Sequence, residues 1–153
     1  SNRGTCFQLY FPVSKEKEVI QIETEKTEKI IGNGEHILIV DDEPQVRDIA
    51  GQMLQSQGYK VDSVRSGELA VEFVRKKSVD LIVIDMLMEP GMSGRRTYEE
   101  IIELYPDQKA IIASGFSENA DVQMTLQLGA GGFIKKPYSM TQLGLAVKEA
   151  LQG

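Results

Sequence analysis

The stretch V-D-L-I-V-I-D-M-L-M-E-P-G-M-S-G, residues 79–94, decides the fold. Leu81-Ile82-Val83-Ile84 is an apolar, mostly β-branched run, too short for a free-standing helix and bounded by polar residues, the pattern of a strand buried on both faces. Asp85 follows at its carboxyl end. A second run of the same kind, Ile37-Leu38-Ile39-Val40, ends in Asp41-Asp42. In a parallel sheet both strand ends open on one edge, so three carboxylates converge there. They repel one another unless a positive charge sits between them, and a hard divalent cation with oxygen ligands meets that need.

Outward from these strands the chain alternates strand with helix. Val46, Ile49, Ala50, Met53 and Leu54 recur at helical spacing and predict a helix over 44–57 with one apolar stripe facing the sheet, Pro44 in its first turn and Gly58 just past its end. A shorter strand is expected over 59–64. A helix over 67–77 comes next, capped by Ser66 and closed by Arg75, Lys76 and Lys77, whose charges suit the negative end of its dipole. After the acidic loop come a helix over 94–105 that stops before Pro106, a strand over 109–113, a helix over 118–128 ended by Gly129, a strand over 132–134 and a last helix over 139–151. Five strands alternating with five helices make an α/β domain with a parallel sheet covered on both faces.

At 153 residues and 41% hydrophobic content the chain can form one ordinary domain of about 100–150 residues plus an extension. The formal charge of -6 argues against a nucleic-acid or anionic-membrane surface. No apolar stretch approaches a membrane span. The single cysteine, Cys6, excludes an internal disulfide and fits a reducing, cytoplasmic setting. With no initiating Met, the chain reads as a piece of a longer protein. Residues 14–34 are a charged linker, and the compact domain is expected over 35–153. Within residues 14–35, ten of 22 side chains are charged, four lysines and six glutamates. Ahead of the linker, Thr5, Phe7, Leu9 and Phe11 alternate with the period of a strand that ends at Pro12. Such a strand lacks a partner nearby in sequence and is expected to pair with a neighbouring molecule or with the surface of the compact domain.

The strand ends collect the reactive side chains on one edge: Asp41 and Asp42 after the first strand, Asp85 after the third, Ser114 after the fourth, Lys136 after the fifth. Ligands of open parallel sheets bind at that edge. The carboxylates can hold Mg²⁺, while Lys136 and Ser114 suit the oxygens of a phosphoryl group. Asp85 is the expected nucleophile, since a carboxylate can accept a phosphoryl group as an acyl phosphate. Taken singly, an Asp at a strand end is a turn former or helix cap, and Lys136 an exposed charge. Their joint placement at four strand ends favours the chemical reading.

These residues carry a resemblance. I-L-I-V-D-D-E-P at 37–44, L-I-V-I-D-M at 81–86, P-G-M-S-G at 90–94, A-S-G at 113–115 and G-F-I-K-K-P at 132–137 are similar to the response-regulator receiver domain. The resemblance implies a flavodoxin-like sheet in the order 2-1-3-4-5, with helices on both faces. It implies that Asp85 is the phosphoacceptor, Asp42 a direct Mg²⁺ ligand, Asp41 a ligand through water, and the Leu87 backbone carbonyl a further ligand. It also makes Lys136 the partner of the phosphoryl group, Ser114 the switch hydroxyl, Phe133 the switch aromatic, and Lys136–Pro137 a cis peptide. One departure stands out: Pro90 lies five residues after Asp85 where the family has four, with Glu89 inserted. That insertion bears on the Leu87 carbonyl and adds a negative charge near the site.

Residues 4–12, G-T-C-F-Q-L-Y-F-P, resemble the closing glycine box and last strand of a histidine-kinase ATP-binding domain, so that residues 1–13 would be a remnant strand. The implied parent is a hybrid sensor histidine kinase, itself membrane-associated or not. The implied partners are the kinase domain, expected in the same parent chain, and a histidine phosphotransfer protein. No output domain is expected after the last helix, and the signal would leave through the surface of the fourth and fifth helices. The fragment itself would at most phosphorylate and dephosphorylate itself. Three other readings compete. A stand-alone Mg²⁺ phosphohydrolase generally needs an acid two residues after the nucleophile, where this chain has Leu87. Flavin binding needs a hydroxyl- and glycine-rich loop after the first strand, which is absent. A receiver-like interaction module working without phosphorylation is the alternative that the inserted Glu89 keeps open.

Overall fold

The computed structural model describes residues 31–115 and 119–153. The expected strand over 4–13 and most of the linker lie outside the described residues. The elements are β1 His36–Val40, α1 Pro44–Ser56, β2 Lys60–Val64, α2 Gly67–Lys76, β3 Leu81–Asp85, α3 Gly94–Leu104, β4 Ala110–Ser114, α4 Ala120–Gln127, β5 Phe133–Lys135 and α5 Met140–Gln152. The sheet order is β2-β1-β3-β4-β5, and every pairing is parallel. This is the flavodoxin-like order that the resemblance implied.

Why the runs become strands is visible in their burial: all five residues of β3 and all five of β4 are buried. Alternate side chains feed two separate cores. Leu38, Val40, Ile82, Ile84 and Ile112 pack with Val71, Val74, Tyr98, Ile101 and Val122 of α2, α3 and α4. Ile37, Ile39, Leu81, Val83 and Ile111 pack with Ala50, Leu54, Leu143 and Val147 of α1 and α5. Each fully buried Ile or Leu contributes roughly 1.5–3 kcal/mol relative to exposure. A polar residue in the middle of β3 would therefore have no face on which to hide.

The helices start where short polar side chains can accept orphan N–H groups. Ser66 accepts from Leu69, Ser93 from Arg96, Asn119 from Val122, and Ser139 from Gln142 in a reciprocal capping box. Gly58, at φ +92°, lets the chain leave α1. One expectation needs correction. The apolar stripe of α1 does not face the sheet as a whole: Ala50 and Leu54 are buried, but Ile49 is 54% exposed. Beside it, Val46, Met53, Pro137 and Tyr138 line an open groove of about 490 Å³ whose wall includes Lys136. The one histidine, His36, is structural: its Nε2 lies 2.6 Å from Asp62 Oδ2 and its ring meets Phe73 edge-on.

Candidate functional site

Parallel register puts the reactive residues on one edge. Val40, the last residue of β1, is level with Ile84, so Asp41 and Asp85 emerge side by side. Asp85 is level with Ala113, which brings Ser114 one step beyond it. Ser114 is level with Lys135, and the Ser114 carbonyl accepts from the Lys136 N–H at 2.8 Å. Separate stretches of chain thus become neighbours at the ends of four strands.

The carboxylates meet as expected. One oxygen from each of Asp41, Asp42 and Asp85 lies within 4.8 Å of the others. Asp41 and Asp85 are nearly inaccessible, at 3% and 5% exposure, while Asp42 is half-buried at the rim. Lys136 closes the cup, its Nζ 2.5 Å from Asp41 Oδ2 and 3.3 Å from Asp85 Oδ2. Asp85 Oδ1 accepts from the Leu87 N–H at 3.3 Å. Asp41 Oδ1 accepts from the Glu43 N–H at 2.9 Å, tying the acidic pair to the start of α1.

Burial and charge set the protonation of this cluster. Burial pushes the Asp85 carboxyl up to about 6; Lys136 opposes that rise and Asp41 adds to it. Burial also works against the Lys136 ammonium, but the hydrogen bond to Asp41 and the charges of Asp85 and Asp41 outweigh it, so its pKa lies above the ordinary lysine value. At neutral pH the cup therefore holds a carboxylate and a firmly charged lysine. The donor set is all oxygen, hard and anionic, held in part by an ammonium that a divalent cation would relieve of the work. These residues fit Mg²⁺.

Ser114 is buried at the end of β4. Phe133 is half-buried at the start of β5 and packs against the core shared with α2, α3 and α4. The Leu87 side chain is exposed while its backbone is bound to Asp85. Lys136–Pro137 is cis, as the resemblance implied, and so is Glu89–Pro90. Glu89 is exposed and is not part of the carboxylate cluster among the described residues.

Three supporting residues escape a reading of strand ends. Arg47 Nη1 donates to the Asp41 carbonyl at 2.7 Å. Gly94 stands where a Cβ would collide with the Asp85 carbonyl, so only glycine lets α3 begin this close to the end of β3. Glu68 holds the acidic loop from α2. Arg47 carried a faint signal, one helical turn beyond the acidic pair; Glu68 carried none, because its partner is a backbone N–H.

Fold and site together define a class: a flavodoxin-like α/β domain whose acidic cup, closed by a lysine, opens at the carboxyl edge of the sheet. More narrowly, the chain belongs to the response regulator receiver domain family, whose model matches residues 37–148. It is a receiver domain of two-component signalling. The sensor kinase CckA of Brucella abortus (strain 2308) is 33% identical over 98% of this chain and 17% of its own length. The response regulator SaeR of Staphylococcus aureus (strain USA300) is 32% identical over 76% of this chain and 50% of its own. The chain thus spans half or less of these curated relatives. Among solved structures, a CheY-like receiver domain from Methanospirillum hungatei JF-1 superposes with a TM-score of 0.73 at 28% identity, covering 78% of this chain and 94% of that one. CheY4 of Vibrio cholerae, at 24% identity over 76% of this chain and 98% of its own, gives 0.72 and shows the shared fold.

Proposed function

We propose that this domain accepts a phosphoryl group from a phosphohistidine of a histidine kinase onto Asp85, with Mg²⁺, within a hybrid sensor kinase. The observation that carries the reading is the Lys136 ammonium, 3.3 Å from Asp85 and 2.5 Å from Asp41, over a cup of three carboxylates. An Asp85 oxygen attacks phosphorus, the P–N bond to the donor imidazole breaks, and the ring nitrogen keeps the electron pair. With a pKa of about 6, Asp85 is mostly ionised at neutral pH and can attack. Lys136 supplies positive charge to the phosphoryl oxygens, and Ser114 a hydroxyl at the end of β4. Asp42, Asp41, Asp85 and the Leu87 carbonyl would hold Mg²⁺. When bound, the ion neutralises charge on the transferring group.

The donor is a macromolecule on this reading, because an apolar groove formed by Ile49, Met53, Pro137 and Tyr138 includes Lys136 in its wall. The match to CckA extends over 98% of the chain, past the receiver, whereas the match to SaeR stops at 76%. That difference supports a kinase as the parent, a cytoplasmic setting for this piece, and a histidine phosphotransfer protein or the attached kinase as recipient. Ser114 and Phe133 would report phosphorylation to the surface of α4 and α5. The test is acetyl phosphate or beryllofluoride with Mg²⁺, read by NMR. Shifts at Ser114 and Phe133 in the wild type, lost in Asp85→Ala, are expected. A silent wild type, or an unchanged response in Asp85→Ala, refutes the reading and leaves an interaction module that works without phosphate.

A further inference from the structure

By the resemblance noted above, the loop between β3 and α3 is one residue longer than the family pattern, and its contacts lie outside the cup. Its base is pinched: the Gly94 N–H donates to the Met86 carbonyl at 3.2 Å, and Gly94 packs on the Asp85 carbonyl. Its interior is nailed down by Met88, 3% exposed, and by Met92, half-buried against the core. The tip, Glu89-Pro90-Gly91, is exposed. A side chain from α2 reaches across to this loop. Glu68 Oε1, on the first turn of that helix, accepts from the Met92 N–H at 2.9 Å.

The neighbours of Glu68 suit that task. Gly91, at φ +130°, turns its back to the carboxylate, so closely that a Cβ there would stand 3.1 Å from Oε1. The N–H groups of Glu68 itself and of Met92 hold the Glu68 carboxyl below the usual range, so it is a charged acceptor at neutral pH. Next to it, Gly67 lets α2 approach α3 so closely that a Cβ would collide with Thr97 Oγ1. The start of α2 is therefore firmly placed against the helix into which the loop feeds.

We propose that Glu68 is a positioning residue for the acidic cup: by clasping Met92 it draws the lengthened loop toward α2, keeps Glu89 away from Asp41, Asp42 and Asp85, and seats the Leu87 backbone on Asp85. The consequence for Mg²⁺ rests on the reading under Proposed function. The clasp itself does not. Without Glu68 the Met92 N–H loses its acceptor, the exposed tip Glu89-Pro90-Gly91 between the core-held Met88 and Met92 loses its polar hold, and a fourth carboxylate can swing over the cup.

The experiment compares wild type, Glu68→Ala, Glu68→Gln and a deletion of Glu89, alone and combined with Glu68→Ala. Amide hydrogen exchange of Met92 in EDTA reads the clasp directly; Glu68→Ala should speed it about tenfold or more while the melting temperature stays put. Calorimetric titration with Mg²⁺ alone should show affinity about tenfold weaker in Glu68→Ala, the low end for loss of an outer support of a metal site. Glu68→Gln, which keeps an acceptor oxygen, should recover most of both. In the Glu89 deletion, Glu68→Ala should change Mg²⁺ affinity less than about twofold, because there is no long loop to hold. Met92 exchange and Mg²⁺ affinity unchanged in Glu68→Ala would overturn the inference, as would a loss of equal size in the shortened loop. A wild type that binds Mg²⁺ but resists phosphorylation overturns the proposed function and leaves this inference standing.

Discussion

Replacing Asp85 by Asn should stabilise the metal-free domain. The side chain is 5% exposed, and its carboxyl is raised from 3.8 to about 6, chiefly by burial. The rise means that ionising Asp85 at neutral pH costs the folded state on the order of 3 kcal/mol relative to the unfolded chain. Asn keeps the shape and an oxygen for the Leu87 N–H. Lys136 loses one partner and retains Asp41 at 2.5 Å, which trims the gain to about 1.5–3 kcal/mol. For a domain of this size each kcal/mol moves the melting temperature by roughly 3–5 °C, so Asp85→Asn in EDTA at pH 7.5 should melt about 5–15 °C higher.

The sign with pH comes from the raised value. Between about pH 6 and 3.8 the folded state holds a proton on Asp85 that the unfolded chain has released, so the wild type gains from this group as pH falls through 6. The advantage of Asp85→Asn should therefore shrink from pH 7.5 downward and vanish near pH 4. Saturating Mg²⁺ should narrow it from the other side, because a cation that binds the folded wild type stabilises it by mass action. Thermal melts across pH 4–8, with EDTA and with Mg²⁺, measure all of this. An Asp85→Asn protein no more stable than wild type in EDTA at pH 7.5, or an advantage that grows toward pH 4, would refute the electrostatic account of the cup.

Two further outcomes are expected. Gly67→Ala drives a Cβ into Thr97 Oγ1, so α2 and α3 must part, and chemical denaturation should show a loss of about 1–3 kcal/mol; an unchanged midpoint would show that this contact is loose. Ile49→Lys, on the exposed side of α1, should leave stability within about 0.5 kcal/mol. It should slow phosphotransfer from a kinase protein while sparing phosphorylation by acetyl phosphate, and equal rates from the kinase would remove α1 from the docking surface.

Much of this molecule is legible along the chain because its sheet is parallel. Strands buried on both faces must be continuous apolar runs, so Ile37–Val40, Leu81–Ile84 and Ala110–Ala113 stand out, and the residues after each run must emerge on the same edge. The start of α2 is equally plain at Ser66, because an orphan N–H needs a short acceptor nearby in sequence, and Ser93 and Ser139 prove to do the same for α3 and α5. Periodicity and local hydrogen bonding thus let residue order alone decide the elements, the sheet edge, and the gathering of Asp41, Asp42, Asp85, Ser114 and Lys136. The tertiary structure decided everything that depends on contacts between distant stretches. Periodicity placed Ile49 on the apolar stripe of α1, but only the fit of α1 against β1 and α5 left it in solvent. The distances from Lys136 to Asp41 and Asp85, and the burial that raises Asp85, come from packing that no local pattern encodes. The course of the long acidic loop was set by Glu68, 24 residues away from its partner Met92, because a backbone N–H takes whichever acceptor the assembled fold brings within reach.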